Sequence, residues 1–282
     1  MLVLDGKAVA SKVRQKLRSE IAELLPRTKR SPGLAVILVG DDPASAVYVR
    51  NKAKSCGEVG IYSREFRLDA DVSQEDLEKL ILDLNQDTSV HGILLQLPLP
   101  GNLDANACLK LISPGKDVDG FHPESVGRLT LGLPGFRSCT PAGIMALLDH
   151  YQLDVYGKDC VVLGRSNIVG KPLALMLLAG NATVTVCHSR TSDLKGHVYR
   201  ADFVFAAVGK PGFVTAEMIK PGAVVVDVGI NRTREGLVGD CDYQGIMEKA
   251  LAMTPVPGGV GPMTIAMLLE NTVTSWKSAF SL

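Results

Sequence analysis

At positions 160–170 the chain reads Cys160-Val161-Val162-Leu163-Gly164-Arg165-Ser166-Asn167-Ile168-Val169-Gly170. The unbroken apolar run at its start is typical of a strand that is covered on both faces of a parallel sheet. A polar turn between two glycines follows, and a helix is predicted from there to Leu178. A dinucleotide-binding fold carries its phosphate loop at such a place, because Gly164 permits a tight turn and Gly170 permits close helix packing. Ser166 replaces the middle glycine of G-x-G-x-x-G and the spacing is one residue longer, so a plain strand-to-helix turn stays open as an alternative.

The next predicted strand, over residues 183–187, bears on the choice of nucleotide. NAD enzymes usually place an acid about 20 residues after the phosphate loop, where it holds the ribose 2′-hydroxyl. Here a His-Ser-Arg segment follows the strand, and the first carboxylate is that of Asp193. Arg165, Ser189 and Arg190 instead suit a 2′-phosphate, which charge-assisted hydrogen bonds recognise. The sequence therefore favours NADP over NAD, and solvated loop residues are the alternative interpretation.

Strand and helix patterns alternate along the rest of the chain, which predicts two α/β domains. We expect a domain with a mostly parallel sheet over residues 1–139 and a Rossmann-like dinucleotide-binding domain over 140–262, with a helix over 263–282 packing back on the first. After a Gly- and Pro-rich boundary, Thr140 is the expected N-cap of a helix and Pro141 its first residue. The helices are predicted at 7–25, at 44–58 and after the N-cap Ser73, and the strands at 34–39, 61–68, 92–97, 160–164, 183–187, 203–208 and 224–228, with a short one near Leu237.

The composition is that of an ordinary folded protein and excludes several classes. Thirty basic residues balance 30 acidic ones, so no overall field attracts nucleic acid or anionic lipid. The first apolar run ends at Asp5, too short for a signal peptide, and no run reaches the roughly 18 residues of a membrane span. The six cysteines lack C-x-x-C and zinc-finger spacing, as buried thiols in a reducing compartment do. We therefore expect a cytoplasmic protein without a metal site or a membrane segment.

Candidate chemical groups lie in the first half of the chain. Tyr48 and Lys52 stand four residues apart on a predicted helix, so a phenol and an amine share one face. Gln96 interrupts an apolar strand near its carboxyl end, where ligands bind in open α/β sheets. Asp117 and Asp119 lie at an expected turn, and no third ligand stands at metal-binding spacing. Each feature has a structural alternative: an exposed lysine over a half-buried tyrosine, a hydrogen-bonded buried amide, and an ordinary Asp-Gly turn.

An unusual loop lies near the end of the chain, with the sequence Pro255-Val256-Pro257-Gly258-Gly259-Val260-Gly261-Pro262. Its glycines and prolines predict a rigid segment whose bare backbone a ligand can approach closely. A loop that only connects two domains has the same composition, so composition alone leaves both interpretations open.

Taken in order, these segments resemble one family, the bifunctional methylenetetrahydrofolate dehydrogenase/methenyltetrahydrofolate cyclohydrolases. The resemblance covers nearly the whole chain and is specific because seven motifs occur in sequence order. The motifs are Tyr48-Val49-x-x-Lys52, Gln96-Leu97-Pro98-Leu99-Pro100, Lys116-Asp117-Val118-Asp119-Gly120-Phe121-His122-Pro123, Cys139-Thr140-Pro141, Gly164-Arg165-Ser166-x-Ile168-Val169-Gly170-x-Pro172, Asp227-Val228-Gly229-Ile230-Asn231 and the loop from Pro255 to Pro262.

The resemblance implies two reactions at one folate site in a cleft between the two domains. NADP-dependent oxidation converts 5,10-methylene-tetrahydrofolate to the 5,10-methenyl cation, and hydrolysis converts the cation to 10-formyl-tetrahydrofolate. The resemblance further implies a homodimer that pairs through the cofactor domain and acts in one-carbon metabolism and purine biosynthesis. No metal, nucleic acid or membrane is expected to take part.

The resemblance also assigns roles to single residues. Lys52 corresponds to the lysine that assists proton transfer and activates water, and Gln96 to the glutamine that hydrogen-bonds this lysine. Tyr48 corresponds to the tyrosine packed along the folate ring and Asp119 to the aspartate on the amino edge of the pterin, and these four form the expected catalytic set. The other expected substrate-binding residues are Leu97, Pro98, Pro257, Gly258 and Gly259. The expected cofactor-binding residues are Gly164, Arg165, Ser166, Ile168, Val169, Ser189, Arg190, Ile230 and Thr264.

Two other functions remain possible on the same scaffold. A monofunctional NAD(P)-dependent methylenetetrahydrofolate dehydrogenase shares the fold, and a non-catalytic folate-binding protein does not need Lys52. Hydrolysis of the methenyl cation needs a base, and we hypothesise that Lys52 serves in its neutral form. Ser125 stands where the family usually has Asn, close in sequence to Asp119, and Cys241 stands where it usually has Val.

Overall fold

The computed structural model describes residues 1–234 and 236–282, apart from the side chain of Ala44. Among these residues, no helix combines the length and the apolar composition that crossing a membrane requires. The strands are β1 (Leu2–Val3), β2 (Gly33–Val39), β3 (Tyr62–Leu68), β4 (Gly92–Leu95), β5 (Asp159–Leu163), β6 (Thr183–Cys187), β7 (Phe203–Ala206), β8 (Val224–Asp227), β9 (Asn231–Thr233), β10 (Gly236–Val238) and β11 (Ala252–Met253). The helices are α1 (Gly6–Thr28), α2 (Pro43–Val59), α3 (Gln74–Gln86), α4 (Ala105–Leu111), α5 (Pro123–Thr130), α6 (Cys139–His150), α7 (Gly170–Ala179), α8 (Leu194–Arg200), α9 (Tyr243–Met247) and α10 (Val260–Ala279).

These elements fall into two compact units, and neither is one continuous segment. Unit 1 consists of Met1–Ser11 and Ser138–Thr264, and unit 2 of Lys12–Arg137 and Ile265–Leu282. The chain passes between the units within α1, before α6 and within α10. The first eleven residues therefore belong with the later part of the chain.

Unit 2 is built on a parallel sheet with the strand order β3-β2-β4. Every residue of β2 and β4 is buried, as their continuous apolar runs predict for strands that are covered on both faces. Helix α3 buries Leu77, Ile81 and Leu84 in the same core cluster, at the spacing of one helical face. Its N-cap is Ser73, as predicted, and the Ser73 hydroxyl accepts a hydrogen bond from the N–H of Asp76 at 3.0 Å.

The end of α10 completes unit 2. It contributes Trp276, which is fully buried and donates its indole N–H to the carbonyl of Arg30 at 2.9 Å. One residue earlier, the hydroxyl of Ser275 donates to the carbonyl of His91. The side-chain amide of Asn271 donates to the carbonyl of Val118 at 2.8 Å. Apolar burial and polar contacts thus tie this helix to distant loops of the same unit.

Unit 1 contains a six-stranded sheet in the order β1-β11-β8-β7-β5-β6, and its strand pairs are parallel. From β5 the chain passes to β6 on one side and then to β7 on the other, so the strand order reverses at β5. Ligands of open α/β sheets bind at the carboxyl ends of the strands beside such a reversal. A separate antiparallel pair, β9 with β10, contains the short strand predicted near Leu237.

Helix α6 begins differently from the prediction. The sequence predicts Thr140 as its N-cap and Pro141 as its first residue, but the helix begins two residues earlier, at Cys139, with Ser138 in the cap position. The Ser138 hydroxyl makes no capping bond and donates to the carbonyl of Ile168. The hydroxyl oxygens of Thr140 and Thr264 lie 3.0 Å apart. Long-range hydrogen bonds therefore replace the local cap that short-range spacing suggests.

Candidate functional site

Lys52 and Gln96 meet at the carboxyl edge of the unit 2 sheet. The Nζ atom of Lys52 donates to Oε1 of Gln96 at 3.1 Å, and both residues are half-buried. Gln96 directly follows β4, and its backbone N–H donates to the carbonyl of Ile37 at 2.9 Å. Its side-chain nitrogen donates to the carbonyl of Leu97 at 2.7 Å. Because the amide nitrogen is used locally, the amide oxygen faces the lysine and holds its amine in place.

Helix α2 places Tyr48 one turn before Lys52. The helix begins after Asp42, whose carboxylate accepts a hydrogen bond from the N–H of Ser45 at 2.7 Å. Its C-cap is Gly60, which has a left-handed φ of 93°. Tyr48 keeps 36% of its surface exposed. Burial of the remainder raises the pKa of the Tyr48 phenol, so the ring stays uncharged near neutral pH and offers a flat packing surface with one hydroxyl.

The surroundings of Lys52 leave its amine available to a ligand. Its hydrogen-bond partner within residues 1–234 and 236–282 is the Gln96 amide, which carries no charge. One turn later on α2, Cys56 is fully buried, and burial raises the pKa of its thiol to about 12 against the smaller effects of Ser63 and Lys52. This thiol is therefore protonated at neutral pH and is not a nucleophile. Of these two side chains, the Lys52 amine is the candidate reactive group.

Asp117, which the expected catalytic set does not include, organises the turn that carries Asp119. Asp117 is 1% exposed, and its carboxylate accepts hydrogen bonds from the N–H groups of Phe121 at 3.1 Å and His122 at 2.9 Å. The hydroxyl of Ser125 donates to the same carboxylate at 2.7 Å. Burial raises the pKa of Asp117, and these hydrogen bonds act in the opposite direction. Asp119 is half-buried on the turn that Asp117 fixes.

Two glycines shape the turn between β5 and α7 in unit 1. Gly164 has a φ of 112°, and a β-carbon there would lie 2.2 Å from the carbonyl oxygen of Ala207. A β-carbon at Gly170 would lie 2.2 Å from the carbonyl oxygen of Gly164. Neither position has room for a side chain, so backbone contacts impose both glycines.

Ser166 occupies the place of the missing middle glycine and interacts with the start of α7. Its hydroxyl oxygen accepts hydrogen bonds from the N–H groups of Val169 at 3.1 Å and Gly170 at 3.4 Å. Amides at the start of a helix otherwise lack a partner within the helix and attract anions. We therefore expect a pyrophosphate to contact the Ser166 hydroxyl and the exposed loop rather than a bare helix end.

Arg165, Ser189 and Arg190 are exposed residues that follow the carboxyl ends of the neighbouring strands β5 and β6. In the described part of the chain, neither arginine forms an ion pair with a carboxylate. The first carboxylate after β6, that of Asp193, caps α8 by accepting a hydrogen bond from the N–H of Gly196 at 3.1 Å. Two available guanidinium groups, with no acid placed for a 2′-hydroxyl, fit the 2′-phosphate of NADP.

Two buried carboxylates that have no role in the expected site hold the neighbouring loops of unit 1. Asp240 accepts hydrogen bonds from the backbone N–H groups of residues 208–210 at 2.6, 2.9 and 2.9 Å, shortly after β7. Asp227, at the end of β8, accepts from the N–H of Gly229 at 3.0 Å, and burial raises its pKa. A β-carbon at Gly229 would lie 2.2 Å from the Asp240 carboxyl group, and one at Gly239 would lie 1.8 Å from that of Asp227. In the sequence each of these aspartates lies within two residues of a glycine, and this spacing is the local pattern that could have indicated the two residues.

The remaining expected cofactor-binding residues lie on loops and helix starts of unit 1. Ile168 and Ile230 are 39% and 42% exposed, on the loops after β5 and β8. Val169 is half-buried directly before α7. The hydroxyl of Thr264 donates to the carbonyl of Val260 at 3.3 Å, in addition to its contact with Thr140.

The expected substrate-binding residues are distributed over both units. Leu97 and Pro98 follow Gln96 in unit 2 and are joined by a cis peptide bond, as are Val256 and Pro257 in unit 1. Gly258 has a φ of 116°, and its carbonyl accepts the N–H of Lys7 at 3.0 Å. A β-carbon at Gly6 would lie 1.7 Å from the carbonyl oxygen of Gly259. The close backbone approach of this loop is therefore to the start of α1.

Comparison with known proteins identifies the family to which this fold and these residues belong. The tetrahydrofolate dehydrogenase/cyclohydrolase catalytic domain matches residues 4–119, and the NAD(P)-binding domain of the same family matches residues 138–280. The bifunctional protein FolD of Nitratidesulfovibrio vulgaris strain DP4 is 64% identical over 281 residues, which are 98% of each chain. The bifunctional protein FolD of Magnetococcus marinus is 58% identical over 281 residues, 99% of each chain.

Solved structures agree with this assignment. The bifunctional FolD methylenetetrahydrofolate dehydrogenase/cyclohydrolase of Campylobacter jejuni matches with a TM-score of 0.96 and 51% identity, over 99% of each chain. The Trypanosoma brucei methylenetetrahydrofolate dehydrogenase-cyclohydrolase, complexed with NADP and an inhibitor, matches with a TM-score of 0.96 and 40% identity, over 100% of this chain and 99% of that one. The fold is thus that of an α/β dehydrogenase with a Rossmann-like sheet and a second α/β unit. The chain belongs to the tetrahydrofolate dehydrogenase/cyclohydrolase family.

Proposed function

We propose that this chain is a bifunctional enzyme that oxidises 5,10-methylene-tetrahydrofolate with NADP and then hydrolyses the 5,10-methenyl product to 10-formyl-tetrahydrofolate. Family membership supports both activities. The observation that carries the second activity is the Lys52 amine, held 3.1 Å from the uncharged Gln96 amide at the carboxyl edge of a parallel sheet. A dehydrogenase alone, or a folate-binding protein, has no need of an amine positioned in this way.

The oxidation requires the protein to position the folate and the nicotinamide, and it does not require an acid or a base. When bound, NADP+ accepts the hydride that the methylene bridge loses, and this leaves the methenyl cation. We assign Tyr48 to packing along the folate ring and Asp119 to the amino edge of the pterin. Arg165 and Arg190 hold the 2′-phosphate through charge-assisted hydrogen bonds. Correct alignment of the two reacting carbons is the main contribution of these residues to the rate.

The hydrolysis, in contrast, needs a base, which we assign to Lys52. The oxygen of a water molecule bonds to the bridging carbon of the cation while the Lys52 amine takes one of its protons. The bond from that carbon to N5 then breaks, N5 gains the remaining hydroxyl proton, and the carbon becomes the formyl group on N10. The Gln96 oxygen accepts one N–H of Lys52 and so orients the Nζ atom. The lone pair of Nζ stays available to accept the proton of the water molecule. Gln96 is therefore a positioning residue.

Product analysis with matched lysine variants tests this proposal. Purified protein is mixed with tetrahydrofolate and formaldehyde, with NADP or NAD in separate reactions, and absorbance follows the reduced nucleotide and the methenyl species. We expect the unmodified protein to form the formyl product with little methenyl accumulation, and Lys52→Met to reduce NADP while the methenyl species accumulates. Lys54→Met is the control, because Lys54 is an exposed lysine on the same helix.

Each alternative function has its own outcome in this experiment. Accumulation of the methenyl species in the unmodified protein indicates a monofunctional dehydrogenase. Absence of reduction with either nucleotide indicates a folate-binding protein. Equal rates with NAD and NADP contradict the assignment of Arg165 and Arg190 to the 2′-phosphate. If Lys52→Met hydrolyses the cation as fast as Lys54→Met does, another group is the base.

The domain roles, assembly and setting are also proposals that rest on the family resemblance. We assign folate binding to residues 1–139 with the helix over 263–282, and NADP binding to residues 140–262. We propose a cytoplasmic homodimer that pairs through the cofactor domain and provides formyl groups for purine biosynthesis, with no nucleic acid or membrane as partner. Light scattering after size-exclusion chromatography tests the assembly, and a mass equal to that of a single chain contradicts it.

A further inference from the structure

Unit 2 contains a cavity of 780 Å³ that the proposed reactions do not use. It lies at the amino ends of β2 and β4, because Arg30 and His91 line it and these residues come shortly before the two strands. Gln96 directly follows β4, at the opposite end of the sheet. At about 3.3 Å per residue, the five steps from His91 to Gln96 span roughly 16 Å. The cavity is therefore separate from the Lys52 site, and its volume is in the range of small-molecule pockets.

The charged side chains that line this cavity are basic. Lys29, Arg30 and Lys116 line it, and no Asp or Glu is among the described residues that line it. The whole chain, in contrast, balances 30 basic residues with 30 acidic ones. The Nζ atom of Lys116 donates to the backbone carbonyls of Leu84 at 3.0 Å and Asp87 at 2.8 Å, which are neutral acceptors. Charge of one sign in a concave surface concentrates counter-ions.

One carboxylate close to these cations, that of Asp87, is engaged by other groups. Asp87 forms an ion pair with Arg64 at 2.7 Å and accepts the N–H of Ser89 at 2.8 Å. The field of the cations reaches a neighbouring group: burial first, and then Lys116 and Arg30, lower the pKa of His91 to about 4 against a smaller opposing effect of Asp87. The imidazole is thus neutral near neutral pH, and the net charge of the cavity comes from its lysine and arginine residues.

Two of the cations keep donors available, and one wall of the cavity is apolar. Arg30 donates from Nη1 to the carbonyl and hydroxyl of Thr88 over 3.3 and 3.4 Å, and its other guanidinium nitrogens have no protein acceptor in the described part of the chain. The exposed side chain of Lys29 likewise has no partner among the described residues. Phe280 and Ala279 provide apolar surface beside these charges. This combination suits an anion that carries a flat apolar group.

We propose that this cavity is a second ligand site, which binds a small aromatic oxyanion with its phosphate or carboxylate group on Lys29, Arg30 and Lys116 and its ring against Phe280. Either head group is an anion with several acceptor oxygens, and these complement the donors of one guanidinium and two ammonium groups. The site is independent of the folate and NADP sites, so it does not rest on the proposed enzymatic function.

The only tryptophan of the chain is a reporter next to this cavity. Trp276 is fully buried, its indole N–H donates to the carbonyl of Arg30, and its ring centroid lies 6.3 Å from that of Phe280 in an edge-on arrangement. We expect phenyl phosphate and benzoate, titrated separately at constant ionic strength, to change Trp276 emission in a saturable way. The probe that binds more tightly identifies the preferred head group.

Charge-matched variants test whether the probes bind in this cavity. Lys29→Gln with Arg30→Gln should weaken binding about tenfold or more, because each removes a charged hydrogen-bond donor. Lys16→Gln with Arg18→Gln removes the same charge from exposed positions of α1 and should leave binding unchanged. Arg30→Lys keeps the charge and should retain most of the affinity.

Two outcomes overturn the proposal. One is the absence of a saturable emission change with either probe, and the other is equal affinity in the double variant and its charge-matched control. Circular dichroism verifies folding of each variant. If the double variant does not fold, Lys29→Gln alone decides, because that exposed side chain has no hydrogen bond or ion pair with any described residue.

Discussion

Mild acid should destabilise unit 2 through one buried imidazole. His91 is 3% exposed, and its Nδ1 accepts the N–H of Gly33 at 2.9 Å. Burial, followed by the charges of Lys116 and Arg30, lowers the pKa of His91 from 6.5 to about 4. Protonation would turn the Nδ1 acceptor into a donor that faces the Gly33 N–H, and would add a cation beside two others. The folded protein therefore excludes the proton that the unfolded chain accepts.

The size of the effect follows from the difference between the two pKa values. At 1.36 kcal/mol for each unit, the step from 6.5 to about 4 corresponds to about 3 kcal/mol. This contribution of His91 is fully present above pH 6.5, is lost progressively as the pH falls towards about 4, and changes no further below that. Because domains are stable by about 5–15 kcal/mol, the loss is a large share of the total.

Two buried carboxylates oppose this trend over part of the same range. Burial raises the pKa of Asp117 and of Asp227, so the folded protein takes up their protons before the unfolded chain does. Their protonation stabilises the fold as the pH falls towards 3.8, the ordinary value for Asp. The effect of His91 must therefore be measured as a difference between two proteins.

Urea unfolding, followed by the emission of Trp276 at a series of pH values from neutral to about 4, measures this difference. The test variant is His91→Asn, because an Asn side-chain oxygen can accept the Gly33 N–H and does not titrate. We expect the free energy of unfolding of the unmodified protein to fall by about 3 kcal/mol more than that of the variant. His197→Asn in unit 1 is the control and should follow the unmodified protein. Parallel pH curves for His91→Asn and the unmodified protein would show that protonation of His91 does not cause the loss of stability.

Three further substitutions, one of them with a control variant, test other contacts. Gly170→Ala places a β-carbon 2.2 Å from a backbone oxygen and should lower stability by about 2–3 kcal/mol in thermal unfolding. Gly101→Ala, with open space within 4 Å, should change it by about 0.5 kcal/mol or less. Arg190→Gln should raise the KM for NADP about tenfold with little effect on NAD, and an equal rise for both nucleotides in steady-state kinetics would contradict its role. Ser125→Ala removes a 2.7 Å donor from buried Asp117 and should cost about 1–3 kcal/mol, which an unchanged urea midpoint would disprove.

The fold could be predicted from sequence where short-range patterns carry the information. The apolar runs at 34–39 and 160–163 predict buried parallel strands because both faces of each strand are covered. Ser73 predicts a helix start because its hydroxyl and its N–H partner lie three residues apart. Gly164 and Gly170 indicate the turn after β5 because their backbone contacts exclude a side chain.

Features that depend on distant residues were not predictable in this way. The Ser138 hydroxyl finds its acceptor 30 residues away, and the carboxylate of Asp240 binds amides 30 to 32 residues away. The bond between Lys52 and Gln96 spans 44 residues, and only the family resemblance pairs them before the structure is known. The cationic cavity is assembled from four separate segments, so no local pattern marks it.

The path of the chain through the two units constrains when each can become native during synthesis. Residues 12–137 are translated early, but the core of unit 2 also requires Trp276 from the last helix. Unit 1 pairs β1, from the first residues made, with β11, about 250 residues later, and it extends to Thr264 at the start of that same helix. Neither unit can therefore complete its core until α10 has left the ribosome. A nascent chain that stops before this helix exposes apolar surface of two incomplete cores, and we expect chaperones to bind such a chain.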